Sequence, residues 1–153
     1  MMKQFKEWNI NPYALTKVSL VMLEEMVTRK EKWDQYKKAK DHWSLFTLLS
    51  LGLFLLFGAQ VIRSVGGAIG PNLLSILVGN VFLLLLILLF AVGLVQVKLF
   101  TKKVTKAEDE FESLRIECID RSSELWEEDQ GWKYRDDVFT YMKKNHDVNL
   151  YYK

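Results

Sequence analysis

Two long apolar runs dominate the pattern of hydrophobic and polar positions. Residues 43–62 read WSLFTLLSLGLFLLFGAQVI and residues 73–97 read LLSILVGNVFLLLLILLFAVGLVQV, with RSVGGAIGPN between them. Across all of 43–97 the only charged residue is Arg63. A helix crosses roughly 30 Å of hydrocarbon with about 20 apolar residues, so each run is long enough for one span, and the longer second run permits a tilt. Soluble helices seldom stay apolar on every face, and a chain of 153 residues has too little other protein to hide two such helices. The pattern therefore predicts an all-α membrane protein built on a two-helix transmembrane hairpin, with spans at about 43–65 and 72–97. The turn, about 64–72, carries Gly66, Gly67 and Gly70 to relax the backbone and Pro71 to open the next helix. Gly66 and Gly70 have the spacing of a helix-packing motif, but at this place they read as chain reversal. The first run lies behind a charged arm and lacks a small-residue cleavage site, so it reads as a retained span and not as a signal peptide.

Outside the runs the apolar positions become sparse and periodic. In the first arm they are Leu15, Val18, Met22, Met26, Trp33, Tyr36 and Trp43, one face of a helix over about 12–41, with Arg29 filling the gap. Asn11 reads as its cap and Pro12 as its first residue; the ten residues before them read as a surface-lying or frayed end. With no Gly or Pro after Pro12, this helix is expected to run directly into the first span. After the second run the positions are Val97, Phe100, Val104, Ala107, Phe111, Leu114, Cys118 and Leu125, a heptad-like seam. Gly and Pro are absent from 98–130, so one helix is expected from about Leu73 to Asp129, stopped by Gly131. The hairpin forces the two arms antiparallel. Their apolar stripes need cover from water, and the pattern predicts that they meet as an antiparallel coiled-coil-like stem, within one chain or between two. A short helix from Asp136 to Asn145, carrying Val138, Phe139 and Met142, precedes the tail. The domains are then an N-terminal helical arm (1–42), the hairpin (43–97), a C-terminal helix (98–130), and a short helix with its tail (131–153).

Charge orients the hairpin. Six basic residues lie between Arg29 and Asp41, and four, with no acid, between Lys98 and Lys106; the turn has one. Basic flanks stay on the cytoplasmic side, which predicts a multi-pass protein of the cell membrane with both termini cytoplasmic and the turn outside. The net charge of +2 averages unlike segments: residues 1–42 hold nine basic and six acidic groups, residues 107–129 two basic and ten acidic. That contrast suggests a register in which Arg29, Lys30 and Lys32 face Glu108, Asp109, Glu110 and Glu112. The basic flanks point to anionic membrane lipids as partners and give no support to nucleic acid. Trp43 stands where an interfacial aromatic belt would.

Candidate chemistry is thin. Cys118 is the only cysteine, so no disulfide forms within the chain; on the seam it reads as a small core residue. His42 and His146 lack neighbours at metal-ligand spacing, although His42 with Lys38 and Lys40 is the one place for a membrane-edge site. Glu117, Asp120 and Glu124 share a face that reads as solvated, and neither a phosphate loop nor a serine elbow is present. Within the spans Asn80 and Gln60 are the strongest polar candidates, read as interhelical hydrogen-bonding partners. No catalytic, cofactor-binding or metal residues are assigned.

The charged arm with its Trp33-Asp34-Gln35-Tyr36-Lys37-Lys38 stretch, the two spans and the charged helical tail together resemble the small YpbF-type membrane proteins of Bacillus and relatives. That family carries a domain of unknown function, so the resemblance implies a bacterial two-span membrane protein and transfers no activity. The expected function is non-enzymatic: the hairpin anchors a helical stem that engages a cytoplasmic or membrane protein, with homo-oligomers as one outcome. The alternative is a small oligomeric transporter, channel or channel accessory, motivated by Asn80 and Gln60.

Overall fold

The computed structural model describes residues 16–64, 73–126 and 131–151. They form five helices and no strand: α1 (Lys17–Ser64), α2 (Leu73–Gly79), α3 (Val81–Asp120), α4 (Ser122–Leu125) and α5 (Gly131–His146). The expected start at Asn11 and Pro12, the seam residue Leu15 and most of the turn lie outside the described residues. Helix α1 takes Thr16 as its cap. The Ser19 N–H donates to Thr16 Oγ1 at 3.2 Å, and the Leu20 N–H donates to the Thr16 carbonyl at 3.0 Å. The helix then continues without a break to Ser64. The chain divides into two compact units: Met1–Gln35 with Val104–Lys153, and Tyr36–Lys103.

The first unit is closed by three helices and the segment that follows them. Its core joins Met22, Leu23, Met26 and Val27 of α1 to Phe111, Leu114 and Cys118 of α3, Leu125 and Trp126, and Val138, Phe139 and Met142 of α5, with Val148 and Leu150 beyond. Trp33 stacks on Phe111 with ring centroids 5.6 Å apart, and Trp126 meets Phe139 edge-on at 5.2 Å. This core corrects the two-stranded stem in three ways. Helix α5, longer than expected, fills the third side, so neither seam faces only the other. On α1, Val18 is 60 % exposed, while Ser19, Met22, Leu23, Met26, Val27 and Lys30 are buried. A stripe facing two neighbours must be wider than the seam facing one, so it takes adjacent positions such as Met22 with Leu23 and Met26 with Val27. The charge register holds in part: Arg29 does reach Glu110, but through its carbonyl, and the carboxylate partners are others. Arg29 bonds Glu25 on its own helix and donates from Nη1 to the Glu110 carbonyl at 2.8 Å. Lys30 pairs with Asp34 and Asp147, and Arg115 with Glu112.

The single helix expected over 73–129 is interrupted twice. At Asn80 the chain leaves α2 and starts α3. At Arg121 (φ −92°, ψ 14°) it leaves α3 and starts α4. The second break, among residues of modest helix propensity such as Ser122 and Ser123, brings both Leu125 and Trp126 into the core, at 3 % and 2 % exposure. Gly131 is not a stop: it is the first residue of α5.

The second unit is a pair of antiparallel helices. Phe57 packs edge-on against Phe82 at 4.9 Å, and Lys103 Nζ lies 5.8 Å from the centre of the Tyr36 ring. Between these levels α1 and α3 approach closely at Thr47 and Gly93. A Cβ on Gly93 would overlap Thr47 Oγ1 and lie 3.2 Å from Thr47 Cβ. Only glycine admits that approach. Thr47 and Ser50 are buried there with their hydroxyls turned back to the carbonyls of Trp43 and Phe46, at 2.7 and 2.9 Å. Both long helices are apolar enough to cross a membrane, and only 11 % and 17 % of their most apolar stretches are buried inside the protein.

Phe111 is 3 % exposed and sits against Trp33 in the centre of the first unit. Phe111→Ala is expected to destabilise that unit by about 3–5 kcal/mol. The loss is to be read as reduced hydrogen-exchange protection of α5 and of the amide-bonded core of α1 between Lys17 and Gln35.

Candidate functional site

The most concentrated polar chemistry lies at the margin of the first unit, where α1, α3 and the segment after α5 meet. Asp147 has φ 55°, a left-handed turn that aspartate tolerates better than most residues. The Val148 N–H reaches back to the Met142 carbonyl at 3.2 Å. The chain then buries Val148 and Leu150, with the half-buried Asn149 between them. Two cations secure it. Lys30 is 7 % exposed; its ammonium lies 2.9 Å from Asp34, 3.7 Å from Asp147 and 4.5 Å from the centre of the Trp33 ring. The lysine stem is covered while its charged end meets carboxylates at the rim. Arg115 donates from Nη1 to the Asn149 carbonyl at 2.9 Å. The Tyr151 hydroxyl bonds Asp136 and Thr140 of α5. These contacts clamp a strap; they do not align a nucleophile with a base.

The candidate residues of the sequence are distributed through both units. Cys118 is 1 % exposed in the core. Burial, with a smaller contribution from the charge of Glu117, pushes its thiol up to about 11, which keeps it protonated and inert at neutral pH. Glu117 and Glu124 bracket Arg121 in exposed ion pairs, both at 3.1 Å. His42 Nδ1 lies 2.7 Å from the Lys38 carbonyl of its own helix. Among the described residues no group of three or more His, Cys, Asp or Glu could hold a metal ion.

Asn80 has a different task from the one expected. Its Oδ1 accepts the N–H groups of Phe82 and Leu83 at 3.1 and 3.3 Å, and its carbonyl accepts Leu84 N–H at 3.2 Å. It is the N-cap of α3 and satisfies donors that the break in the helix would otherwise orphan. The carboxamide oxygen is directed at its own backbone, not at Gln60. Sequence reasoning also passed over Gly93, Arg115 and the strap. The strap's alternation of Val148 and Leu150 was the available signal; Gly93 is not distinguishable in sequence from Gly52 or Gly58, which have open space around them.

Two outcomes follow from this geometry. Asn80→Ser keeps a capping oxygen and should retain the stability of α3, whereas Asn80→Leu should lose about 1 kcal/mol, read as the detergent midpoint of unfolding; equal loss in both variants would restore the interhelical role. The second concerns acid. Burial lowers the pKa of His146 from its ordinary 6.5, partly opposed by the charge of Glu31. The folded state therefore favours neutral imidazole, so this contribution to stability is complete above pH 6.5 and is lost as the pH falls through the lowered value. Protection factors of the Val148 and Leu150 amides should decline in that acidic window, and His146→Phe should flatten the dependence.

Comparison with known proteins agrees with this arrangement in extent. Residues 22–153, nearly all of both units, match the family model of the proteins of unknown function termed DUF2663. The chain is 33 % identical over 131 residues to the uncharacterised protein YpbF of Bacillus subtilis (strain 168), a match that covers 86 % of each chain. No solved structure matches it. With a family model reaching into both units and a relative similar along most of its length, the chain belongs to the DUF2663 family.

Proposed function

We propose that this chain is a non-enzymatic integral membrane protein in which the second unit is a two-span anchor and the first unit is a helical module that engages another protein. The observation that carries the reading is the direction of the apolar side chains. On α1, Leu45, Leu48, Leu49, Leu55 and Leu56 are exposed; on α3, Leu84, Leu85, Leu88, Leu94 and Val95 are exposed. Leaving that much apolar surface in water is costly at about 25 cal/mol per Å², and hydrocarbon removes the cost. A helix also satisfies its own backbone, as a span must. The cap supplied by Asn80 serves the same requirement where α2 gives way to α3. The basic flanks support a cytoplasmic side for both termini under the charge rule. Asn80 bonded to its own backbone supports the anchor over the alternative of a conduction path, which drew on Asn80 and Gln60.

The test is thiol accessibility in a Cys118→Ser background. Ser64→Cys should react with a membrane-impermeant maleimide applied to intact cells. Lys17→Cys and Lys143→Cys, both at exposed positions, should react only after permeabilisation. The opposite pattern reverses the orientation. Release of the protein from membranes by alkaline carbonate overturns the anchor itself.

A further inference from the structure

We infer that the lysine-bearing end of the second unit binds the phosphates of anionic phospholipids, through Lys37, Lys38 and Lys40 of α1 together with Lys98, Lys102 and Lys103 of α3. The inference rests on the membrane reading above and names the lipid class at that surface.

Three observations converge on it. The first is geometric. Lys103 lies over both Tyr36 of α1 and Phe100 of α3, at 5.8 and 5.1 Å, so the two lysine triplets occur at one level of the helix pair. The second is electrostatic. The sequence of Tyr36–Lys103 holds six lysines and one carboxylate, Asp41; its other cation, Arg63, is at the far end of α1. Five of the six, all but the half-buried Lys40, are exposed. Two antiparallel helices that each bring three like charges to one level repel one another unless anions intervene. The third is the neighbouring surface. Leu45, Leu48 and Leu49 on α1, and Leu94 and Val95 on α3, are exposed immediately beyond the lysines. At 1.5 Å per residue, Lys40 and Leu45 stand about 7.5 Å apart along the axis. That is at the upper end of the roughly 5–7.5 Å of headgroup region outside the hydrocarbon on each side of a bilayer. Phosphate beside cation and acyl chain beside leucine is a pairing that a phospholipid supplies in one molecule. A nucleic acid or a free phosphate offers only the first half. On α1 the ring of Trp43 stands between the two zones, as an interfacial aromatic does.

The experiment uses the full chain in bilayers of equal parts phosphatidylglycerol and phosphatidylcholine, with a trace of either lipid spin-labelled on its acyl chain. The motionally restricted fraction of each label reports its occupancy at the protein surface. Phosphatidylglycerol should be restricted in preference to phosphatidylcholine by at least about fivefold, the value of one lysine near a charged headgroup. Raising the salt to about 1 M shortens the screening length to about 3 Å and should reduce the preference. The triple variant Lys38→Gln/Lys98→Gln/Lys102→Gln should bring it close to equality while restricting phosphatidylcholine as before, which shows that the variant remains inserted. The pair Lys143→Gln/Lys144→Gln on α5 should leave it unchanged. Equal restriction of both lipids by the unaltered protein overturns the inference and leaves the membrane reading intact. A preference that survives the triple variant, or that the α5 pair lowers equally, also overturns it. If neither lipid is restricted, the membrane reading itself fails, and this inference with it.

Discussion

Antiparallel helices stay in contact only where their facing side chains are either small or mutually filling, and α1 and α3 meet that requirement differently in the two units. In the second unit the contact is made by subtraction: Gly93 offers no side chain, Thr47 lies directly against it, and the serine and threonine hydroxyls are satisfied by their own helix. In the first unit it is made by filling: Trp33 covers Phe111, and Leu23 and Met26 occupy the interior. The first mode works where the surroundings are as apolar as the side chains and packing, not water exclusion, drives association. The second works where water drives the burial. Together they account for why outward leucines are abundant in one unit, while among the described residues of the other only Val18, Val21, Ile116 and Tyr151 are exposed large apolar residues.

The polar groups follow the same division. In the second unit, Asn80, Thr47, Ser50 and Ser64 all bond backbone atoms of their own helical segments. In the first unit, Lys30, Arg29 and Arg115 reach across to other segments and hold them in place. A charge-assisted hydrogen bond to a carbonyl, as Arg115 makes to Asn149, fixes a chain that has no ladder of its own. This is why the strap remains ordered beside three helices although it belongs to none of them.

Much of the architecture was legible in the sequence because its signals are long and periodic. Two apolar runs announced two long helices, and the spacing of Phe111, Leu114 and Cys118 announced the buried face of α3. What stayed hidden depended on single positions. Whether Asn80 hydrogen-bonds sideways or caps its own helix turns on one break in φ and ψ, which periodicity does not register. Val18 fits a seam spaced for one neighbour as well as Met22 does; only the arrival of α5 as a second neighbour turns the stripe and leaves Val18 outside. Gly131 suits a helix stop by composition, but here it opens the next helix. The charge contrast between the arms was real, yet side chains at i, i+3 and i, i+4 offered nearer partners.

The lateral contact between Tyr36 and Lys103 has a bearing on the order in which the molecule assembles. The core of the first unit combines residues on both sides of the entire Tyr36–Lys103 segment, so none of that core is complete until the segment has been synthesised. Joining the ends of a flexible loop of that length costs roughly 4 kcal/mol in chain entropy. Once α1 and α3 have paired, their departing ends already lie side by side, and the encounter between Leu23 and Leu114 becomes a local event. The helix pair is thus a folding template. A defect at Gly93 would reach the distant core as slower closure, without altering a single contact inside it.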